Sequence, residues 1–334
     1  MMHARSTVRP TVLLTDPIHP DAHARLAAGV HVVVLADRLS REASEAALRA
    51  LLADAQGLIV RRQLPDDLFD TMGHLQGIVR HGVGLDFIPV ARASAQQIPV
   101  ANTPAVNANA VAEYVFAAMF ALSRQLAHFD HEVRQGNWHA RRAAGEKTFD
   151  LRGRTLGVIG YGAIGQRIGE IATRGFSMKV VAHTTTPSRL PAHVEALSLE
   201  ALFAASDFVV VACPLTPRTR GMIDSGVIAF AKPGTVLINV GRGPVIREDD
   251  LVGALNAGTL SGAVLDVFEV QPLPADSGLR QHPGVLLTPH LAGITQDAER
   301  AMGMLAVETM LALIQGERPD NIVNKEIYSI LKKA

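Results

Sequence analysis

"TLGVIGYGAIGQRIG", residues 155–169, decides how this chain folds. An apolar stretch, Leu156 to Ile159, runs into Gly160-Tyr161-Gly162-Ala163-Ile164-Gly165. Ile164, Ile168 and Ile171 then recur at i, i+4 and i+7. The pattern predicts a buried strand, a tight turn and an amphipathic helix. Each glycine has its own reason. Gly160 permits the turn, Gly162 lets the backbone approach a pyrophosphate, and Gly165 lets helix and strand pack closely, with the helix N-terminus facing the anion. A lone G-x-G-x-x-G is weak evidence, because glycines are common in turns. Here the strand before it and the helix after it supply the context the fingerprint requires. The competing reading is a plain β–α turn that binds nothing.

The same alternation spreads outward in both directions. Upstream, "TVLLTD", "HVVVLA", "GLIVRR", "LQGIVRHG" and "IPVAN" read as strands, with "REASEAALRALLADA" and "LPDDLFDTMG" as helices between them. A long helical pattern covers about Ala110 to Gln135, and the polar "EKTFDLRGR" opens a second unit. Downstream, "KVVAHT", "DFVVVACP", "TVLINVG", "GAVLDVF" and "VLLTPH" are strand-like, and "EDDLVGALNAGTL" and "DAERAMGMLAVETMLALIQG" are helical. Strands alternating with helices predict parallel sheets covered on both faces, so two α/β units lie in series. No repeat or low-complexity segment interrupts them.

Composition narrows the function. The 334 residues are 48% hydrophobic and 19% charged, with 32 Lys+Arg against 32 Asp+Glu. That balance argues against nucleic acid and anionic membrane as main partners, while a local basic cluster could still bind a small anion. Aromatics at 4% leave little for base stacking. One cysteine, Cys213, excludes an internal disulfide and a multi-cysteine metal site, and no metal is expected. No apolar run approaches a membrane span, and "MMHARSTVRP" has no apolar segment after its basic residues, so a cytoplasmic protein is expected.

The strand after the fingerprint, "MKVVAHTTTPSR", ends at His183-Thr184 without an acid. NAD sites usually place Asp or Glu there, on the ribose 2′-hydroxyl, where it would repel a 2′-phosphate. Thr184 and Thr185 can donate hydrogen bonds, and His183 or Arg189 can add positive charge. This points to NADP, or to use of both NAD and NADP. The alternative is that Thr184 bonds the NAD ribose and Arg189 is merely solvated.

These segments together resemble the D-isomer-specific 2-hydroxyacid dehydrogenases over nearly the whole length. "VRHGVGLDFI", "VANTPAVNANAVAEYVF", "LRGRTLGVIGYGAIGQRIG", "ACPLTPRTRGMI", "LINVGRGPVI", "GAVLDVFEVQPLP" and "LLTPHLAG" match the family's signatures in order. The resemblance implies two Rossmann-like, doubly wound parallel-sheet domains. A coenzyme domain, residues 106–295, would be inserted into a substrate domain, residues 1–105 plus 296–334. It also implies a homodimer built on the long-helix region. A phosphoglycerate dehydrogenase without a regulatory module is one member type that fits, since the chain ends soon after the tail helix.

Reduction of a 2-oxo acid needs an anion clamp, a proton donor and a hydride carrier. Arg242 sits between two glycines after a buried strand, where a charge is costly unless it faces a cleft, and a guanidinium matches a carboxylate bidentately. The resemblance makes it the carboxylate and carbonyl ligand. His290, in "LLTPHLAG", is implied to be the general acid in reduction, a role suited to a pKa near working pH. Asp266 is implied to hold the nicotinamide amide. Cys213 and Pro214 would line the adenosine side, and Ala163, Ile164, Thr219 and Gly293 complete the implied cofactor contacts. Cys213 reads poorly as a nucleophile, because nothing nearby supplies a base.

The backbone of His81, Gly82 and Val83 is implied to hold the substrate carboxylate. Arg61, Arg62 and Arg80 fall at two strand ends. If those strands are neighbours, they would suit a second anionic group on the substrate, with Arg61 its ligand. The alternative is ordinary solvated arginines. Gln271 stands where the family usually has Glu beside the catalytic histidine. An amide orients the ring but supplies no charge, so the imidazolium should be less stable than in Glu-bearing relatives. The formate dehydrogenase branch also pairs Gln with His. This chain lacks that branch's longer N-terminal region and its usual strand-end Asp, so that branch is the alternative enzyme. A non-catalytic NAD(P)-sensing scaffold is the alternative outside enzymes, and the presence of Arg242, Asp266 and His290 argues against it.

Overall fold

The structure is a computed structural model that describes residues 9–37, 39–70, 72 and 74–330, the last two by backbone alone. The first eight residues, which carried the reading of a missing signal segment, lie outside the described residues. The chain divides into two compact units, Met1–Asn107 with Ile294–Ala334, and Ala108–Gly293.

The first unit opens with β1 (Thr11–Leu14), α1 (Pro20–Ala27), β2 (His31–Val34), α2 (Arg41–Leu52), β3 (Gly57–Val60), β4 (Gly77–Arg80), α3 (Val90–Ala95) and β5 (Val100–Ala101). Its parallel sheet has the order β2-β1-β3-β4-β5. All four residues of β3 are buried, as are three of four in β1, because helices cover both faces.

The second unit follows with α4 (Ala108–Arg124), α5 (Leu126–Arg134), α6 (Ala144–Lys147), β6 (Thr155–Ile159), α7 (Ala163–Phe176), β7 (Lys179–His183), β8 (Glu195–Ala196), α8 (Leu199–Ala205), β9 (Phe208–Val211), α9 (Ser225–Ile228), β10 (Val236–Asn239), α10 (Glu248–Asn256), β11 (Gly262–Leu265) and β12 (Val285–Leu287). Its sheet is parallel throughout, in the order β12-β11-β10-β9-β6-β7-β8. Two helices, α11 (Gln296–Ile314) and α12 (Ile327–Ile330), belong to the first unit. On α11, Ala306, Val307, Met310 and Leu313 pack with Val12, Leu14, Ile59 and Val79. Burying each aliphatic side chain of this size contributes roughly 1.5–3 kcal/mol. Both sheets are doubly wound α/β, as the alternation predicted.

Three local expectations change. Residues 64–73 were expected to be helical. Among the described residues they form successive turns, with Leu68 N on Pro65 O and Asp70 N on Asp67 O. Turns of this kind send the adjacent Leu68 and Phe69 both fully inward, which one face of a short helix does poorly. The long helix of 110–135 is two helices, broken at Gln125 with φ 48. The chain returning at 147–149 causes the break. Phe149 N takes the Ser123 carbonyl, and Gln125 Nε2 donates to Lys147 O. The two-residue edge strand β8 was not foreseen, because it is too short and too exposed to leave a pattern.

Candidate active site

In the second unit the chain enters at β6, runs outward through β7 and β8, then crosses to β9 and continues to β12. The winding therefore reverses between β6 and β9, and ligands of such sheets bind at the carboxyl ends of the strands at that point. The glycine turn lies there. Gly160 has φ 90, and its N–H donates to His183 O at 2.9 Å. A Cβ on it would come within 2.6 Å of Cys213 Cα, so the loop after β9 packs directly on the turn. Gly162 is the N-cap of the 14-residue α7 and offers no side-chain cap to it. A Cβ at Gly162 would meet nothing within 4 Å. An open glycine before uncapped helix N–H groups fits a dinucleotide pyrophosphate. Ala163 and Ile164 are the first residues of α7.

Around this turn the expected cofactor residues fall into two groups. His183 ends β7, beside Ile159 of β6, and its Nδ1 donates to Leu197 O at 3.0 Å. Thr184 accepts from Thr186 N, Thr185 is exposed, and Arg189 closes a short 3-10 turn with no ion pair among the described residues. Cys213 is buried, which pushes its thiol up to about 11 and makes it an unreactive packing residue. Pro214 is exposed beside it. Thr219 does not project a free hydroxyl. It donates to Pro214 O at 2.7 Å and accepts from Thr216 N at 2.8 Å, so it closes its own loop.

The other three expected residues come from neighbouring strands. β10, β11 and β12 are adjacent, and just beyond their carboxyl ends stand Arg242, Asp266 and His290. Asn239, buried at the end of β10, shapes the Arg242 turn. Its Nδ2 donates to Arg242 O at 3.1 Å, and its Oδ1 accepts from Gly241 N at 3.0 Å. Arg242 is half-buried and donates through one guanidinium nitrogen to Gly241 O.

Asp266 has a structural task as well. It is 1% exposed, and both carboxylate oxygens serve the loop that follows β12. Oδ1 accepts from Thr288 Oγ1 at 2.6 Å and Leu291 N at 2.8 Å, and Oδ2 accepts from Ala292 N at 2.9 Å. These bonds hold the loop, and a carboxylate with about four acceptor sites has capacity beyond them, so the anchoring is compatible with the expected cofactor contact. Gly293 ends that loop. His290 rides on it, exposed, with φ 57. Its Nδ1 lies 3.4 Å from Gln271 Oε1. The amide singled out in the sequence is thus beside the histidine.

In the first unit, β3 and β4 are neighbours, with Val60 opposite Arg80, so the three arginines do gather. They are already engaged. Arg61 pairs with Glu299 at 2.8 Å and bonds Pro17 O, while Arg62 forks onto Asp16. Arg80 reaches the Val60, His81 and Gly84 carbonyls and stacks on Phe87. Arg61 and Arg62 thus have carboxylate partners of their own, which weakens the case for Arg61 as the ligand of a second anionic group.

The backbone expectation at residues 81–83 also narrows. His81 N bonds Val60 O, and Gly82 N bonds Thr103 Oγ1 at 2.9 Å. Val83 N alone of the three makes no hydrogen bond among the described residues, and Val83 is exposed. The His81 ring is buried, and burial first, then Arg61, push its pKa down to about 3, so it stays neutral. Among the described residues no cluster of His, Cys, Asp or Glu could hold a metal, and no helix is long and apolar enough to cross a membrane.

A doubly wound unit with a dinucleotide turn at its switch point, and an arginine and a histidine just past two strands that flank β11 in the same sheet, defines a nicotinamide-dependent oxidoreductase. Comparison with known proteins gives the family. Residues 116–292 match the model of the D-isomer specific 2-hydroxyacid dehydrogenase NAD binding domain. A glyoxylate reductase of Aeropyrum pernix is 34% identical over 330 residues, covering 96% of this chain and 98% of that protein. An NADPH-dependent glyoxylate/hydroxypyruvate reductase of Sinorhizobium meliloti, solved with NADP and malonate, superposes with a TM-score of 0.82 at 32% identity, covering 94% and 97%. A Thermus thermophilus protein of known structure superposes at 0.84 with 33% identity, covering 94% and 99%. The chain belongs to the D-isomer-specific 2-hydroxyacid dehydrogenase family. It is an NAD(P)-dependent enzyme of the 2-oxo acid/2-hydroxy acid pair, and the formate-type and non-catalytic alternatives are not favoured.

Three residues at the site went unnoticed in the sequence. Asn239 carried a signal, a polar side chain ending the apolar run "VLIN". Thr288 and Tyr114 carried none, since hydroxyls at a strand end and on a helix are common.

Proposed function

We propose that the enzyme reduces a small, singly charged 2-oxo acid of the glyoxylate or hydroxypyruvate type, with a preference for NADPH. The observation that carries this is the delivery of Arg242, Asp266 and His290 by three adjacent parallel strands. When bound, the nicotinamide supplies hydride to C2. Arg242 takes the carboxylate and polarises the carbonyl. His290 gives the proton to the developing alkoxide, and takes it back in oxidation. The Gln271 amide oxygen accepts from Nδ1, which leaves Nε2 as the atom that exchanges the proton. Val83 N–H is a donor the first unit can offer to an anion.

Cofactor choice rests on the end of β7, where residues 183–190 contain no carboxylate and Arg189 is exposed. A homodimer is part of the same proposal. No residue of α5 is buried, and Leu126, Val133 and Trp138 are 66%, 53% and 63% exposed, an apolar surface suited to a second copy. Sedimentation as a monomer at micromolar concentration would remove that part. We also place the enzyme in the cytoplasm, where reduced nicotinamide is available.

The test is turnover of glyoxylate, hydroxypyruvate and a phosphorylated 2-oxo acid with NADPH and NADH, followed across pH. Highest kcat/KM is expected for an unphosphorylated acid with NADPH. Preference for the phosphorylated acid, or for NADH, would reverse the corresponding assignment. The Gln271→Glu variant should hold His290 protonated to higher pH, because a carboxylate stabilises the imidazolium. Its reductive limb should therefore rise by about one pH unit. A limb that stays in place, with activity intact, would show that residue 271 does not govern the histidine.

A further inference from the structure

Tyr114 has no part in the reaction proposed above, yet its hydroxyl lies 2.5 Å from Thr288 Oγ1. Thr288 Oγ1 is in turn 2.6 Å from Asp266 Oδ1. Proton counting sets the direction of this chain. Thr288 has one hydroxyl hydrogen and donates it to the Asp266 carboxylate, so the Tyr114 O–H must donate to Thr288. Burial holds the Tyr114 phenol above its ordinary range, which keeps that hydrogen in place. The far end of the chain is the loop of the histidine. Asp266 accepts from the amides of Leu291 and Ala292, and His290 N donates to Thr288 O at 3.1 Å. Every bond in this network flanks a residue held at φ 57, a conformation that persists only where its surroundings over-determine it.

We propose that Tyr114 is a positioning residue for the proton transfer: through Thr288 and Asp266 it holds loop 288–292, and with it the His290 ring, in the working orientation. The proposal rests on His290 being the proton donor. Tyr114 is well placed for this, because it stands on the 17-residue α4, nine of whose residues are buried, and packs against the buried cluster containing Val111, Val115 and Phe116. A support of this kind sets the geometry of an active group without touching substrate. Hydrogen-bond chains in a half-buried setting also strengthen one another, so loss of the first donor is felt at the last acceptor.

Tyr114→Phe fills the same space and removes only the donor. Its kcat for 2-oxo acid reduction should fall about tenfold, with KM for cofactor and substrate within about twofold, the split expected of a group that acts on the chemical step. Amide hydrogen exchange at Leu291 and Ala292 should accelerate about tenfold, as local opening becomes easier. Thr288→Val keeps the shape and breaks both bonds, so it should lose at least as much kcat. Thr288→Ser should recover most of that loss. Adding Tyr114→Phe to Thr288→Val should cost nothing more, because members of one network are not additive. Parental kcat and parental exchange in Tyr114→Phe would overturn the proposal, and so would additive losses in the double variant. Full turnover in His290→Asn would overturn the proton-donor assignment instead, whatever the exchange data show.

Discussion

Replacing His290 with asparagine is expected to lower kcat for 2-oxo acid reduction by about 10²- to 10⁴-fold, the range of a lost general acid. Asparagine is the informative substitute because of the backbone. His290 has φ 57, where a non-glycine residue is disfavoured by roughly 1–2 kcal/mol and asparagine is among the best tolerated. The loop should therefore keep its shape, and Asp266 its bonds to Thr288, Leu291 and Ala292. NADPH affinity, followed by fluorescence titration, should change less than about threefold, since the glycine turn lies at the β6–β9 switch point and is built without His290. A valine at 290 would confuse the result by adding backbone strain to the lost proton. Turnover in His290→Asn within tenfold of the parent would mean that another group protonates the alkoxide.

A single methyl group at Gly243 should be nearly as damaging, for a steric reason. The Gly243 Cα faces the Phe268 carbonyl and the Glu269 amide so closely that a Cβ would fall inside their van der Waals envelope. Those atoms are backbone, following β11, and cannot rotate away. Gly243→Ala should cost on the order of 3 kcal/mol in urea unfolding, the upper range for overpacking. It should also displace the preceding Arg242, whose carbonyl is tied to Asn239, so activity should fall with stability. Gly162→Ala is the contrasting control. Its Cβ would meet nothing, so stability should stay within about 1 kcal/mol of the parent, while NADPH affinity falls because the methyl enters the path of the pyrophosphate. Equal stability of Gly243→Ala and the parent would show that the close approach at Phe268 is absent.

Local pattern made much of this molecule legible. The doubly wound α/β class followed from strands that read as apolar runs because both faces are buried, and the dinucleotide turn followed from glycines between a strand and a helix. Arg242 stood out because it follows a buried strand, where charge is costly without a purpose, and His290 because of its place in the family motif after an apolar strand and a proline. Gln271 was likewise readable as a neighbour of His290, since the family motif places them together.

What sequence could not show was who else competes for each polar atom. Asp266 reads in the sequence as a cofactor ligand alone, and its oxygens also hold amides some 25 residues away in the chain. The arginines at the ends of β3 and β4 looked like an anion site. Arg62 and Arg61 pair with Asp16 and with Glu299, the latter more than 200 residues further on, and Arg80 reaches backbone carbonyls. The break at Gln125 has no glycine or proline to announce it, because its cause is the returning chain at Lys147 and Phe149. Sequence alone therefore determined the class of fold, the family and the residues able to do the chemistry, because these depend on periodicity and on side chains in fixed local motifs. Only the tertiary structure decided which of those residues are spoken for, because hydrogen-bond and charge partners are assigned by distance in space and not along the chain.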